Sequence, residues 1–228
     1  MSDSVAVWAR PERGRRGPAP ERSRDQIARA AIAIADADGL AAVSMREVAA
    51  SLGTGPASLY RYVRAREDLL DLMADAVLAE LELSAAPSTD WVDDLVALAG
   101  EVKAVHLRHP WLLDLPPQPS RLGPRAIDLI EHALGLMRHL PVQGRVKLEV
   151  IGVVNSLVAQ FARHETAAEA PVSDRQAAQT AYLGKVAADG SHPLLAAALA
   201  DTAPGDALDV FEPTIRHVAM GLTGIAHR

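Results

Sequence analysis

The chain has no cysteine among its 228 residues, which excludes disulfides, thiolate metal centres and a cysteine nucleophile. It also lacks any run of about 18 uncharged apolar residues, and its first residues do not follow the basic-then-apolar order of a secretory leader. The expected setting is therefore the cytoplasm, without a membrane partner. Catalytic signatures are missing as well: there is no Gly-x-Ser-x-Gly, no Walker loop, no Gly-x-Gly-x-x-Gly turn after a strand, and no pair of acids in an apolar setting. Asp93-Asp94 and Asp36-x-Asp38 read as a helix start and a helix end, so neither an enzyme nor a cofactor is expected. His106 and His109 stand three apart, a spacing metal sites can use, but no carboxylate shares their turn. They read as surface or pocket-edge polar groups, and no metal is expected.

What the sequence does hold is an uneven distribution of charge. The net charge is −6, yet residues 1–66 carry 11 Arg against 7 acidic residues, while the remainder carries 12 basic and 22 acidic. The first part can face phosphate and the second repels it. Residues 1–20 set Arg10, Arg13, Arg15 and Arg16 among prolines and glycines with almost nothing apolar to bury. They read as a disordered basic tail, either a solvated leader or an arm for a minor groove.

From residue 21 to 66 the pattern predicts three short helices. Ile27, Ala31 and Ile34 give the first an apolar face that closes at Gly39. Ser44 and Glu47 form a capping-box pattern, with Val43 and Val48 at the positions of a hydrophobic staple, so a second helix starts at Met45. Leu52-Gly53-Thr54-Gly55 breaks it, and Pro56 sits where a first helical residue loses no hydrogen bond, which opens a third helix expected to reach about Val63. Residues 67–228 read as a second, larger helical domain. It starts with a linking helix marked by Leu69, Leu70, Met73, Val77 and Leu81, followed by segments at 91–108, 124–140, 145–165, 174–188, just after Pro193, and 206–226. The total is nine or ten helices, an all-α chain.

Helix, short turn, helix is a common DNA-reading geometry, although similar pairs occur in other helical proteins. The residues are more specific. Val48-Ala49 through Leu52-Gly53, then Pro56-Ala57-Ser58-Leu59-Tyr60-Arg61-Tyr62-Val63, then Glu67-Asp68-Leu69-Leu70, closely resemble the signature of the tetracycline-repressor (TetR) family. The resemblance implies a three-helix DNA-binding head on a dimeric, ligand-binding helical body. Pro56, Ala57 and Ser58 match positions that present themselves to base edges, and Arg61 is the residue there able to grip guanine with two hydrogen bonds. Tyr60, Tyr62, Arg46 and Arg66 match positions that touch phosphate, although either tyrosine could instead pack against the first helix. Two positions depart from the family's usual residues: Val63 stands for an aromatic and Gly55 for a Ser or Thr cap.

Beyond residue 90 the likeness is looser, carried by Trp91, His109-Pro110-Trp111, Gly123-Pro124 and Phe211-Glu212-Pro213. It implies a homodimer formed through the two longest late helices, and a ligand cavity lined by Leu98, Val102, Ile130, Ala133, Leu134 and Asn155. Asn155 is the most pointed of these, because an amide among Val153, Val154 and Leu157 needs a partner. The His-x-Gly-Thr-Arg-Pro loop of the founding repressor is absent, which argues against tetracycline as the ligand. The expected partners are a palindromic double-stranded DNA operator and an unidentified small-molecule effector that releases it. The alternative is a helical protein-interaction module without DNA binding, which the acidic balance would suit.

Overall fold

The computed structural model describes residues 6–10, 22–84, 87–116, 121–169, 171–200 and 210–224, and within them there is no strand. Ten α-helices follow one another: α1 (Arg24–Asp38), α2 (Met45–Ser51), α3 (Pro56–Leu59), α4 (Arg66–Val77), α5 (Trp91–Arg108), α6 (Pro124–Leu136), α7 (Gly144–Glu169), α8 (Asp174–Ala188), α9 (Pro193–Ala200) and α10 (Phe211–Thr223). The all-α reading holds. The starts obey local chemistry. Ser23 and Gln26 cap α1 reciprocally, Ser173 and Gln176 do the same for α8, and Asp90 accepts the Val92 and Asp93 N–H groups at the head of α5. At α2 only half of the expected box forms. Ser44 Oγ accepts the Glu47 N–H, but the Glu47 carboxylate turns to the Arg46 guanidinium, 3.1 Å away.

α1, α2 and α3 close on a core in which Ile27, Ala31, Val48, Ala49, Leu59 and Val63 have no exposed surface. Gly53 makes the turn between α2 and α3 at φ +64°, a left-handed conformation that other residues adopt at a cost. The third helix is shorter than the sequence suggests: regular geometry ends at Leu59, and a tight turn carries the chain through Tyr60 and Arg61. α4 leaves the head and enters the body, packing against α1 at one end and α6 at the other. Its residues Leu69, Leu70, Met73 and Val77 make one apolar core continuous from head to body.

In the body, α5, α7 and α10 pack together, with Val150, Val154, Val158 and Ala162 forming the buried stripe of α7. Phe161 meets Phe211 edge-on at 5.3 Å between ring centres. α8 and α9 form a hairpin that leaves Tyr182, Leu183 and Leu194 exposed. The expected helix at 124–140 ends at Leu136. The last helix runs over Phe211–Thr223, closed by Gly224 in a left-handed conformation, and positions 206–209 and 225–226 of the expected 206–226 segment lie outside the described residues.

Residues 6–10 correct the reading of an unpacked tail. Val7 is buried in the core, Trp8 packs against it, and Arg10 pairs with Asp68 at 2.5 Å. Two apolar residues outweigh the polar surroundings because α4 offers a seat for them. The rest of the expected tail lies outside the described residues.

Candidate nucleic-acid interface and effector cavity

The residues expected to touch DNA divide into two groups. Pro56, Ala57, Tyr60, Arg61 and Arg66 are exposed, as is Arg46 with 83% of its side chain accessible. Ser58 is half-buried, and its hydroxyl donates to the Gly55 carbonyl while meeting Thr54 Oγ1 at 2.8 Å, so it braces the turn. Tyr62 is different. It is only 5% exposed and belongs to the core of the head, the packing alternative that its position allowed. Arg66 also spends one donor on the Leu40 carbonyl at 3.1 Å.

Not all of the basic surplus faces outward. Arg22 donates to the Leu52 carbonyl at 2.6 Å, which satisfies the end of α2, and Arg24 reaches the carbonyls of Tyr62 and Arg10. These arginines tie loops of the head together. Among the described residues Arg29, Arg46, Arg61, Arg64 and Arg66 make up the exposed cationic surface of the head.

α4, α5, α6 and α7 line a mostly apolar cavity of about 470 Å³ that opens to solvent at Leu122 and Leu148, a size suited to a drug-like molecule. Leu98, Val102, Ile130, Ala133 and Asn155 line it, whereas Leu134 does not. Leu134 lies one residue past Ala133 on α6, about 100° around the helix. The sequence reading missed the contribution of α4: Ala74 and Asp75, with Leu78 just past its end, line the cavity, as does Arg121 from the segment leading into α6. His106 also lines the cavity, and its Nδ1 donates to the Val102 carbonyl at 2.9 Å. Burial holds the imidazole below its ordinary pKa, overriding that hydrogen bond, so the ring is neutral with Nε2 an acceptor.

Asp75 is the most buried charged residue among the described ones, with 3% exposure. Its Oδ1 accepts the Ala126 N–H at 3.0 Å and so caps α6 from a different helix. Gly123, the residue before α6, has no side-chain cap of its own. A Cβ on Gly123 would overlap the Asp75 carboxylate, so glycine is what lets α4 perform the capping. One turn earlier, Asp71 pairs with Arg121.

A second polar cluster joins head to body. His109, at the end of α5, is 8% exposed, with Nδ1 2.7 Å from Asp36 on α1 and Nε2 2.8 Å from Glu80 after α4. The surface role expected of it does not hold. Trp111 Nε1 donates to the same Asp36 oxygen at 2.7 Å, and Arg108 pairs with Glu80 at 2.6 Å. Both ring nitrogens face carboxylate oxygens, which only accept, so the geometry requires the doubly protonated imidazolium. Burial alone would lower the pKa of His109, but the hydrogen bonds and charges of Asp36 and Glu80 outweigh it and raise the value. Glu80 is held below its usual range, burial being overcome by His109 and Arg108.

A helix-turn-helix head with exposed arginines, set on a helical body that holds an apolar cavity, is the architecture of a DNA-binding transcription regulator. Residues 27–73 match the family model for bacterial regulatory proteins of the tetR family, and residues 83–225 match the tetracyclin repressor-like C-terminal domain. The chain belongs to the TetR family, whose members are DNA-binding transcription factors and not enzymes. It is 37% identical over 227 residues to the HTH-type transcriptional repressor DrrR1 of Streptomyces coeruleorubidus, covering 96% of this chain and 81% of that one. Among solved structures, apo ActR from Streptomyces coelicolor superposes with a TM-score of 0.76 at 27% identity, covering 92% of this chain and 98% of ActR. ActR in complex with actinorhodin gives 0.74 at 26%, covering 92% and 100%. Among the described residues, no helix is long and apolar enough to cross a membrane.

Proposed function

We propose that the chain is a homodimeric repressor that holds a two-fold symmetric operator through Arg46, Pro56, Ala57, Tyr60, Arg61 and Arg66, and releases it when an effector fills the cavity. The observation that carries this reading is the position of α4, which packs on the head at one end and walls the cavity at the other. Effector and operator are then linked through one helix, and the effector acts by favouring the arrangement of heads that does not fit DNA. The half-buried Val153, Leu157 and Phe161 of α7 and the exposed Leu222 of α10 support pairing of these helices with a second copy. The actinorhodin complex of ActR supports a small organic effector for a body of this shape.

The test is a gel-shift titration of a palindromic fragment from upstream of the gene, over a range of salt, with and without actinorhodin as probe. Affinity falls steeply with salt, and the probe releases the DNA. Arg61→Ala relaxes sequence preference at one position of each half-site, with a cost of about 1–3 kcal/mol, while Arg66→Ala weakens all sequences alike. Identical behaviour of the two variants contradicts this division of roles, and absence of any shift contradicts the operator itself.

A further inference from the structure

His106 brings a polar edge to the apolar side that α5 turns to the cavity. Leu95, Leu98, Ala99, Val102 and His106 all line it, and their spacing of three and four residues puts them on one side of the helix. The Nδ1–H is held by the Val102 carbonyl at 2.9 Å, and burial keeps the ring neutral, so the free lone pair sits on Nε2. That nitrogen lies on the ring edge remote from Cβ. It has no hydrogen-bond donor among the described residues, and it is not sealed from solvent.

We propose that His106 is a ligand-recognition residue whose Nε2 accepts a hydrogen bond from a hydroxyl group on the molecule that occupies the cavity. This rests on reading the cavity as the effector site and adds the chemistry selected there. The tautomer decides the polarity of the contact: a hydroxyl supplies the proton that Nε2 lacks, whereas a carbonyl, ether or carboxylate would set lone pair against lone pair. The other polar groups on the lining call for the complement. The Asn155 amide can donate as well as accept, and Arg121, its charge balanced by Asp71, keeps N–H groups beyond those given to Asp71 and the Pro116 carbonyl. Among the described lining residues the one acid is Asp75, whose Oδ1 caps α6 and whose Oδ2 is sealed from solvent. A ligand ammonium therefore finds no carboxylate oxygen free to pair with it. The occupant that satisfies this wall is a neutral, apolar ring system with a hydroxyl for His106 and, elsewhere, a carbonyl that Asn155 or Arg121 can hold.

The experiment compares 2-acetyl-6-hydroxynaphthalene with 2-acetyl-6-methoxynaphthalene, which share ring and carbonyl and differ in whether the second oxygen can donate. Calorimetric titration of the full-length protein at neutral pH is expected to show the hydroxyl compound binding about fivefold more tightly, the size of one hydrogen bond net of its exchange with water. In His106→Phe a ring of similar volume stays and the acceptor goes, so the ratio falls to within about twofold. A preference that came from the bulk of the methyl group would survive that change. The NMR nitrogen resonance of His106 Nε2 gives a reading that needs no variant: it moves upfield on gaining a donor, and does so with the hydroxyl compound only. Equal wild-type affinities, or a nitrogen resonance that ignores the hydroxyl compound once it is bound, overturn the proposal while the cavity remains a ligand site. The same preference retained in the folded His106→Phe protein also overturns it and moves the hydroxyl to Asn155. Failure of both compounds to bind removes the cavity as a site for such molecules and the proposal with it, and leaves operator binding to be judged separately by gel shift.

Discussion

The head, residues 22–66, packs Ile27, Val48, Ala49, Leu59 and Val63 to zero exposure and presents Arg46, Arg61 and Arg64 to solvent. The body inverts this arrangement. It leaves a hollow of about 470 Å³ among α4, α5, α6 and α7, keeps α6 only partly buried with Ile127 55% exposed, and draws Asp75 and His106 toward the inside. The difference follows from the partners each region suits. A polyanion is met by an outer surface of fixed shape, which a filled core provides, whereas a small apolar molecule is met by missing core, which costs stability until it is occupied.

Matched deletions probe that difference most strongly. Leu59→Ala, at a site with full packing, is expected to lower the free energy of unfolding by about 2–5 kcal/mol, while Leu98→Ala on the cavity wall falls near the lower end because its side chain already borders empty space. Urea denaturation of the two variants measures this, and equal losses would mean that the hollow is closed in solution. Additions are expected to behave in the opposite sense. Ala49→Val forces a methyl pair into a filled head and costs about 1–3 kcal/mol. Ala133→Val, at a residue that lines the hollow, is expected to cost less than Ala49→Val and to weaken binding of actinorhodin used as a probe.

The smallest effect belongs to the joint between the two regions. His109 has a folded-state pKa above its ordinary 6.5, so its contribution is complete below that value and is lost as pH rises through the raised one. Glu80, depressed below 4.5, contributes above that value and is lost as pH falls through the depressed one. The thermal midpoint of the wild type should therefore decline as pH rises from 6.5 through the raised value, by the equivalent of about 1 kcal/mol. His109→Gln should flatten that decline; an unchanged pH profile would mean that the imidazolium adds nothing.

What was legible in the sequence is what acts locally. Ser173 with Gln176, Pro56 after Gly55, and His109-Pro110 each mark an end by contacts within a few residues, and α5 and α8 have the boundaries these signals give. Five of the six residues named for the cavity line it, because helical periodicity identifies inward faces even where it does not tell core from cavity. The misses are relations between distant residues. The capping of α6 by Asp75 spans 51 positions, and the bond from His109 to Asp36 spans 73. Nothing near Val7 signals that α4 has room for it. Tyr62 and Tyr60 share a residue type and a segment, yet one is buried and the other 52% exposed, which only the short turn after Leu59 decides.

The joint at His109 has one further consequence. The head is attached to the body along the chain through α4, and again, off that line, where Asp36 holds both His109 and Trp111. A rigid object pinned at two separate points retains a single easy rotation, about the axis through the pins, and loses swivel about any other. In a dimer, such heads would open and close like two doors on fixed hinges, so their separation along the DNA would be set by one angle.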